Sequence, residues 1–314
     1  MCKISLVTYT RAGELFTDAL DDIAKAVYGL YGREFKMIVC CEQTIKLPKR
    51  DYEIQMVKIS GTKYRRLINV MDNDNSEYYL SVDNDITADI ANLKIFIKEM
   101  IDNNIDVGWG KIKANHPSGF ISKLVAVDKE LSHNIIRPSL WCTNYGISIP
   151  GQVFCIKGST FRTKLINLDT FLDDLALGLY VNINNCSKYR TNNVLGYELP
   201  NSTFFGLWTQ RERWGIGYAS ILKAVKFIPE YRIRIIIHGL CYHVTWLLNW
   251  ILIYNFSVYS ILFGFLYYII VSFIISGFRL DLLIYSLAYQ VVFPLFHIIW
   301  GLSVIKELMK KGDS

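Results

Sequence analysis

Apolar positions are spread unevenly along this chain: the front alternates short apolar runs with amphipathic stretches, and the end is almost continuously apolar. Residues 3–9 and 35–41 (Phe-Lys-Met-Ile-Val-Cys-Cys) read as short buried strands. Between them, the segment from Leu15 to Leu30 carries apolar residues at helical spacing, giving a β-α-β start. A third strand, Glu53 to Ile59, alternates and stops before Gly61, and a fourth, Tyr78 to Val82, runs directly into Asp83. Residues 91–103 predict another helix, and Lys111 to Gly151 reads as loop-rich, with turn signals at His116-Pro117-Ser118-Gly119 and Arg137-Pro138-Ser139. Strands alternating with helices predict an α/β domain on a mostly parallel sheet, whose ligands bind beyond the carboxyl ends of the strands. No internal repeat is visible. At 314 residues the chain accommodates one such domain and an appendage.

The appendage is the apolar end. Between Arg234 and Lys306 the only formally charged side chains are Arg279 and Asp281. A soluble domain would have little polar sequence with which to cover so much apolar surface, so the stretch reads as a transmembrane region. Candidate spans are Ile235 to Tyr254, Ser257 to Gly277 and Leu282 to Val304, each near the roughly 20 residues a crossing helix needs. Ahead of them, Gly217 to Pro229 is amphipathic and suits the headgroup level. The expected organisation is therefore a domain over residues 1–216, an interface helix over 217–232, and two or three spans with a short basic tail over 233–314. A cytosolic domain suits Arg232, Arg234 and Arg279, but three spans would then place Lys306, Lys310 and Lys311 outside. An even number repairs this, with the first segment, which holds His238, His243 and Asn249, re-entrant or interfacial.

Charge and cysteine content refine this picture. The net charge is +6, but the basic residues are dispersed or flank the apolar region, which points to anionic lipid headgroups and away from nucleic acid. Seven cysteines, an odd number without framework spacing, fit a reducing compartment. The first residues run straight into a strand with no leader pattern, so the front domain is expected on the cytoplasmic face.

Candidate chemistry lies in three short signatures in fixed order. Asp83-Asn84-Asp85 places two carboxylates in a turn after an apolar strand, where they can hold a divalent cation; an acidic helix-capping turn is the plainer alternative. Asp72-Asn73-Asp74-Asn75 shows how readily the chain makes such a turn, and it reads as a solvated loop. Leu172-Asp173-Asp174 opens a helix, where Asp174 can serve as a general base or simply complement the helix dipole. Gln210-Arg211-Glu212-Arg213-Trp214 sets guanidinium forks suited to phosphate beside an indole suited to a sugar face, or else forms a basic aromatic belt at a membrane. Lys63, Arg65 and Arg66, just after Gly61, can reach nucleotide phosphates or form a solvated helix face. No Gly-X-Gly-X-X-Gly follows the first strand, which excludes a nicotinamide-binding Rossmann domain.

Taken together, these signatures resemble those of the membrane-bound inverting glycosyltransferases of family two, which include cellulose, chitin and hyaluronan synthases and ceramide glucosyltransferase. The resemblance spans residues 3–230. Val7-Thr8-Tyr9-Thr10 stands at the family's first-strand nucleotide loop, Gly61-Thr62-Lys63 resembles its Gly-Gly-Lys segment, and Asp83-Asn84-Asp85 matches its metal-binding Asp-X-Asp. Leu172-Asp173-Asp174 matches its Glu-Asp base motif with Asp173 replacing Glu, and the pentad matches Gln-X-X-Arg-Trp. The resemblance implies a GT-A fold with a Rossmann-like, mostly parallel sheet and a C-terminal transmembrane helical region. It implies Asp174 as catalytic base, Asp83 and Asp85 as ligands of Mg²⁺ or Mn²⁺, and a nucleotide diphosphate sugar, a UDP-sugar being expected, held by Thr8, Tyr9, Glu42, Lys63, Arg66, Asp83, Gln210, Arg211, Arg213 and Trp214. The acceptor it implies is lipid-linked or a glycan at the membrane, with room for a homo-oligomer. Two rivals stand beside this: a processive polysaccharide synthase, and an inactive scaffold that binds glycan or nucleotide. The family's second strand usually ends in Asp-Asp-Gly-Ser, whereas here Cys41-Glu42-Gln43-Thr44 leaves Glu42 as the only carboxylate.

Overall fold

A computed structural model of the chain describes residues 2–10, 17–162, 165 and 168–310. In chain order its elements are β1 (Ile4–Tyr9), α1 (Asp18–Tyr31), β2 (Phe35–Cys41), β3 (Glu53–Lys58), α2 (Lys63–Asn73), β4 (Tyr78–Asp83), β5 (Ile86–Ala88), α3 (Ile90–Asp102) and β6 (Val107–Ala114). There follow α4 (Phe120–Leu131), α5 (Arg137–Cys142), β7 (Val153–Lys157), α6 (Gly158–Phe161), α7 (Asp173–Ile183) and β8 (Lys188–Glu198). The helices α8 (Phe204–Ala224), α9 (Pro229–Gly239), α10 (Thr245–Tyr259), α11 (Ile261–Ile275), α12 (Leu280–Val292) and α13 (Pro294–Met309) complete it. These elements pack as two units, Met1–Lys113 with Ser148–Leu199, and Ala114–Ile147 with Pro200–Ser314.

The first unit is built on one eight-stranded sheet of order β3-β2-β1-β4-β7-β6-β8-β5. Its core explains the strand pattern: Ile4, Leu6, Met37, Val39, Tyr78, Leu80 and Val82 are buried against Leu20, Ile23 and Val27 of α1 and Leu93, Phe96 and Ile97 of α3. Thr17 caps α1 by accepting from the Leu20 N–H, and Asp89 caps α3 by accepting from Asn92. The first four strands of the chain are parallel as expected, and the register brings Tyr9 level with Cys40 on one side and Asp83 on the other. The other half is not parallel. β7 runs antiparallel to β4, β6 to β7 and β5 to β8, so the sheet is mixed, not mostly parallel. The alternation of strand and helix that predicted parallel order ends at α3; beyond it the chain enters and leaves the sheet through the long excursion containing α4 and α5, which lets the strands reverse.

That excursion corrects a second expectation. The sequence of residues 111–151 predicts a loop-rich segment, yet they hold the end of β6, α4 and α5. The turn signals there belong to helices: Gly119 immediately precedes α4, and Pro138 follows the π-helical residues 132–136 that join α4 to α5.

In the second unit, α4 packs with α8 and α10 to α13 around Leu124, Val127, Leu207, Trp246, Tyr289, Phe293 and Phe296. α8 is one continuous helix that holds both the Gln210–Trp214 pentad and the first half of the expected interface helix. Of the three candidate spans, one helix, Pro229–Tyr259, is long and apolar enough to cross a bilayer, and α11 is apolar but short. The third is broken, because α12 and α13 meet at Phe293-Pro294 with a bend of 42°. Proline there cannot donate to the helix ladder.

Candidate functional site

The structure gathers the polar signatures of the first unit around the ammonium of Lys63. Gly61 adopts φ +106°, a conformation natural to glycine, and a Cβ there would stand 2.8 Å from the Arg65 side chain. The Thr62 N–H donates to Asp169 Oδ1 at 2.8 Å, which anchors the start of α2. Lys63, the first residue of α2, sends its Nζ to Asp83 Oδ1 at 2.8 Å, to Asp173 Oδ2 at 3.3 Å and to the Gly151 carbonyl. The rings of Tyr9 and Phe154 flank the same Nζ at 5.2 Å each. One lysine thus links the end of β4, the start of α7 and the loop before β7. Burial opposes its charge, but the carboxylates of Asp173 and Asp83 outweigh that and hold its pKa above the usual lysine value.

Asp83 shows the reciprocal strain. Burial pushes its carboxyl up to about 7, the Asp173 and Asp85 carboxylates push in the same direction, and Lys63 opposes them only in part. Asp85, two residues on in the tight turn between β4 and β5, is exposed. Asp174 is half-buried in the first turn of α7 and accepts from the Leu175 N–H at 2.8 Å. Gly151 lies beside it, since a Cβ at that glycine would come within 3.3 Å of the Asp174 Cβ.

A second tie borders this cluster. The buried Arg66 donates through Nε to the Gly61 carbonyl at 2.9 Å, through Nη1 to the Thr10 carbonyl at 3.1 Å, and through Nη2 to Glu42. It therefore joins the loops after β1 and β2 to the turn before α2. Thr8 is fully buried within β1, and Tyr9 is interior too, its hydroxyl 3.1 Å from Ser81 Oγ. Tyr9 therefore reaches the cluster through its ring face, and Arg66 and Glu42 through their mutual pair.

The pentad belongs to the second unit. Arg211 is buried and donates to Asp128 Oδ2 at 2.7 Å, with its guanidinium carbon 4.2 Å from the Trp214 ring centroid and 5.0 Å from that of Phe293. Tyr289 donates to the other oxygen of Asp128 at 2.6 Å. Burial alone would raise the Asp128 carboxyl, but Arg211 and Tyr289 hold it below the usual carboxylate range. Gln210, Arg213 and Trp214 are half-buried on α8.

Sequence reasoning did not single out Gly151, Asp169, Asp128 or Tyr289. Gly151 sits just before a strand that the apolar run Val-Phe-Cys-Ile could have revealed. No local signal pairs Asp128 with Arg211 across 83 positions. Among the described residues no group of three or more His, Cys, Asp or Glu side chains is placed to hold a metal ion. Two carboxylates flanking a turn nevertheless fit Mg²⁺ or Mn²⁺, which are commonly held by one or two protein carboxylates with substrate phosphates completing the shell.

No family model matches the chain, and no curated protein sequence matches it. Solved structures do. A mannosyltransferase from Pyrobaculum calidifontis, in complex with GDP-mannose and Mn²⁺, superposes with a TM-score of 0.59 over 98% of this chain and 88% of its own, at 12% identity. Glucosyl-3-phosphoglycerate synthase from Mycobacterium tuberculosis gives a TM-score of 0.49 at 14% identity, over 71% of this chain and 79% of its own. S. aureus TarS gives 0.43 at 13% identity, over 70% and 40%. The mannosyltransferase likeness extends over nearly the whole chain and shows the fold, a mixed α/β architecture of the GT-A kind.

Proposed function

We propose that the chain is an inverting glycosyltransferase of family two that moves a sugar from a nucleotide diphosphate sugar to a lipid-linked or glycan acceptor at a membrane. The observation that carries this reading is the convergence of Lys63, Asp83, Asp173 and Asp174 at the carboxyl ends of the parallel strands. It is supported by a fold shared with a mannosyltransferase crystallised with GDP-mannose and Mn²⁺. A UDP-sugar is the donor expected from the motifs, and GDP-mannose enters as an alternative from that neighbour.

In this reading Asp83 and Asp85 hold Mg²⁺ or Mn²⁺, which when bound offsets the charge of the leaving diphosphate. Asp174 accepts the acceptor hydroxyl proton as its oxygen bonds to the anomeric carbon and the bond to the diphosphate oxygen breaks, so the nucleoside diphosphate departs with the electron pair. Lys63 supplies a fixed positive charge to that leaving group, and its hold on Asp173 keeps the start of α7, and with it Asp174, in place. Gln210, Arg213 and Trp214 are assigned to the diphosphate and acceptor, Tyr9, Glu42 and Arg66 to the nucleotide pocket, and Thr8, buried within β1, to the strand that backs it. Arg211, already paired with Asp128, acts by holding α8 together.

The test is transfer of radiolabel from a panel of nucleotide sugars into membranes containing the chain, with Mg²⁺ or Mn²⁺ and with EDTA, sorted into lipid-soluble and polymeric product. Metal-dependent label in the lipid fraction, lost in Asp174→Asn, is the expected result. High-molecular-weight product would instead assign a polymer synthase, and neither transfer nor donor hydrolysis by folded, nucleotide-binding protein would assign a scaffold.

A further inference from the structure

The apolar helices of the second unit present exposed surface that suits lipid. This inference rests on the membrane part of the reading above and not on its catalysis. Residues 235–278 contain no Asp, Glu, Lys or Arg, and α10 and α11 are apolar around most of their circumference, with Leu247, Leu248, Ile251, Phe263, Phe265 and Ile270 exposed. A helix apolar all round has no place in water unless it is covered. The two helices form a hairpin that breaks at Ser260, whose neighbours Tyr259 and Ile261 are 85% and 84% exposed. Near the tip a Cβ on Gly264 would meet Ser257 Oγ at 1.9 Å, so the helices are in close contact through a glycine, as packing within lipid favours.

Charged and polar contacts mark the base of this hairpin. Arg279, just past α11, pairs with Glu130 of α4 at 3.0 Å and with Asp281 at 2.7 Å. Ser132, two residues beyond Glu130, lies 3.3 Å from the Tyr242 hydroxyl, so the entering arm stands at the same polar level as the exit. From Tyr242 to the break at Ser260 the arm is about 25 Å long, and the 15 residues of α11 return over about 22 Å. Both lengths fall short of the roughly 30 Å hydrocarbon core.

The remaining pair is tied down along its length. α12 contacts α4 through Arg279 at its start, through Tyr285 beside Phe120 and Lys123, and through Tyr289 on Asp128. α13 lies along α8: Phe296 packs on Phe204 and Trp300 on Tyr218, and the Lys223 ammonium donates to the Glu307 carbonyl at 2.6 Å. The opposite side of α13 exposes Leu295, Ile298, Leu302, Ile305 and Met309, spaced three or four apart, which is the pattern of a helix lying in the interface plane.

We infer that α10 and α11 enter the bilayer as one hairpin and return to the face they came from, while α12 and α13 lie flat in that face without crossing. Arg232, Arg234, Arg279, Lys306 and Lys310 then share one anionic headgroup surface, with exposed Phe227 and Ile228 as anchors between Lys226 and Arg232. The excess of positive charge on two sides of a membrane, which three spans would impose, disappears.

Cysteine accessibility in sealed inside-out membrane vesicles from cells expressing the full chain tests this. Cys2, Cys142 and Cys241, which are not fully buried, are changed to Ser, and single cysteines are introduced as Tyr259→Cys, Leu280→Cys and Lys310→Cys. With a membrane-impermeant polyethylene glycol maleimide, the 280 and 310 positions are expected to label equally from one side, and 259 to label at least tenfold less until detergent is added. Labelling of 280 and 310 from opposite sides would overturn the inference, because α12 and α13 would then cross. Equal labelling of 259, with release of the chain by alkaline carbonate, would overturn it by removing insertion altogether. Should the cysteine changes disturb folding, protease protection of terminal epitope tags on the natural sequence decides the same point: tags before Met1 and after Ser314 on one side support it, and on opposite sides overturn it. Sugar transfer by the same vesicles reports separately on the catalytic reading.

Discussion

Lys63→Met removes the one positive charge that joins Asp83, Asp173 and the Gly151 carbonyl, and its cost follows from the geometry. With Nζ 2.8 Å from Asp83 and 3.3 Å from Asp173, each pair is worth roughly 5 kcal/mol of gross attraction at an effective dielectric near 20, most of which offsets desolvation. Truncation leaves two carboxylates facing each other without a counter-charge, a change that costs about 3–5 kcal/mol when a pair is fully buried. The Asp83 side chain is 32% exposed and Asp173 12%, so water recovers part of this, and about 3 kcal/mol is the expected loss. For a unit of this size that corresponds to a fall of roughly 6–12 °C in apparent melting temperature, read by circular dichroism of the full chain in detergent. The loss must depend on pH. In the wild type Asp83 titrates near 7, so below pH 6 it is largely protonated and its pair with Lys63 is already weak. The difference between variant and wild type should therefore be largest at pH 8 and shrink markedly at pH 5, and adding Asp83→Asn to Lys63→Met should recover part of the pH 8 loss. A variant that melts within 2 °C of the wild type at pH 8, or an equal loss at both pH values, would refute the reasoning.

Asp83→Asn alone makes a prediction of opposite sign. A carboxyl whose folded pKa is raised from 3.8 to about 7 favours the folded state when protonated and loses that contribution as pH rises between those values, so the amide variant should gain stability relative to wild type at pH 8 and not at pH 4, in parallel melts. In the transfer assay Asp83→Asn should lose most of its activity at every pH, because the amide no longer offers the cation a carboxylate. Asp174→Asn, measured as initial rate at saturating donor, should cost about 10²–10⁴ in kcat while the melting temperature stays within a few degrees, the range typical of losing a general base. Gly61→Ala should destabilise by about 1–2 kcal/mol, because φ +106° disfavours alanine and its Cβ would stand 2.8 Å from Arg65; an unchanged melt would mean that the turn is not held as described. Arg211→Met should cost about 3–5 kcal/mol by stranding Asp128, read as loss of folded protein in detergent, with Arg211→Lys restoring only part because a lysine cannot both pair with Asp128 and stack on Trp214.

Much of this protein was determined by its sequence alone. The short apolar runs at Ile4–Tyr9, Phe35–Cys41 and Tyr78–Asp83 and the helical spacing between the first two specify a β-α-β start. A strand covered on both faces reads locally as a near-continuous apolar run, and a helix covered on one face repeats every three or four residues. Short motifs such as Asp83-Asn84-Asp85 and Leu172-Asp173-Asp174 were legible for the same reason, since each is made by one turn of chain. Other features depended on partners far away in the sequence. The reversal of β7 between β4 and β6 depends on which place in the sheet is still open when the strand arrives, and that is set by partners far away in the sequence. Lys63 meets Asp173 over 110 positions and Arg211 meets Asp128 over 83, contacts that no spacing rule encodes. Composition marked residues 235–304 as apolar, but whether an apolar helix crosses a bilayer or lies against a charged neighbour depends on what covers its faces. Tertiary structure decided that, by seating α12 on α4 and α13 on α8 and leaving α10 and α11, which meet α12 through Asn249, Trp250, Tyr268 and Ser272, with their other faces apolar and exposed.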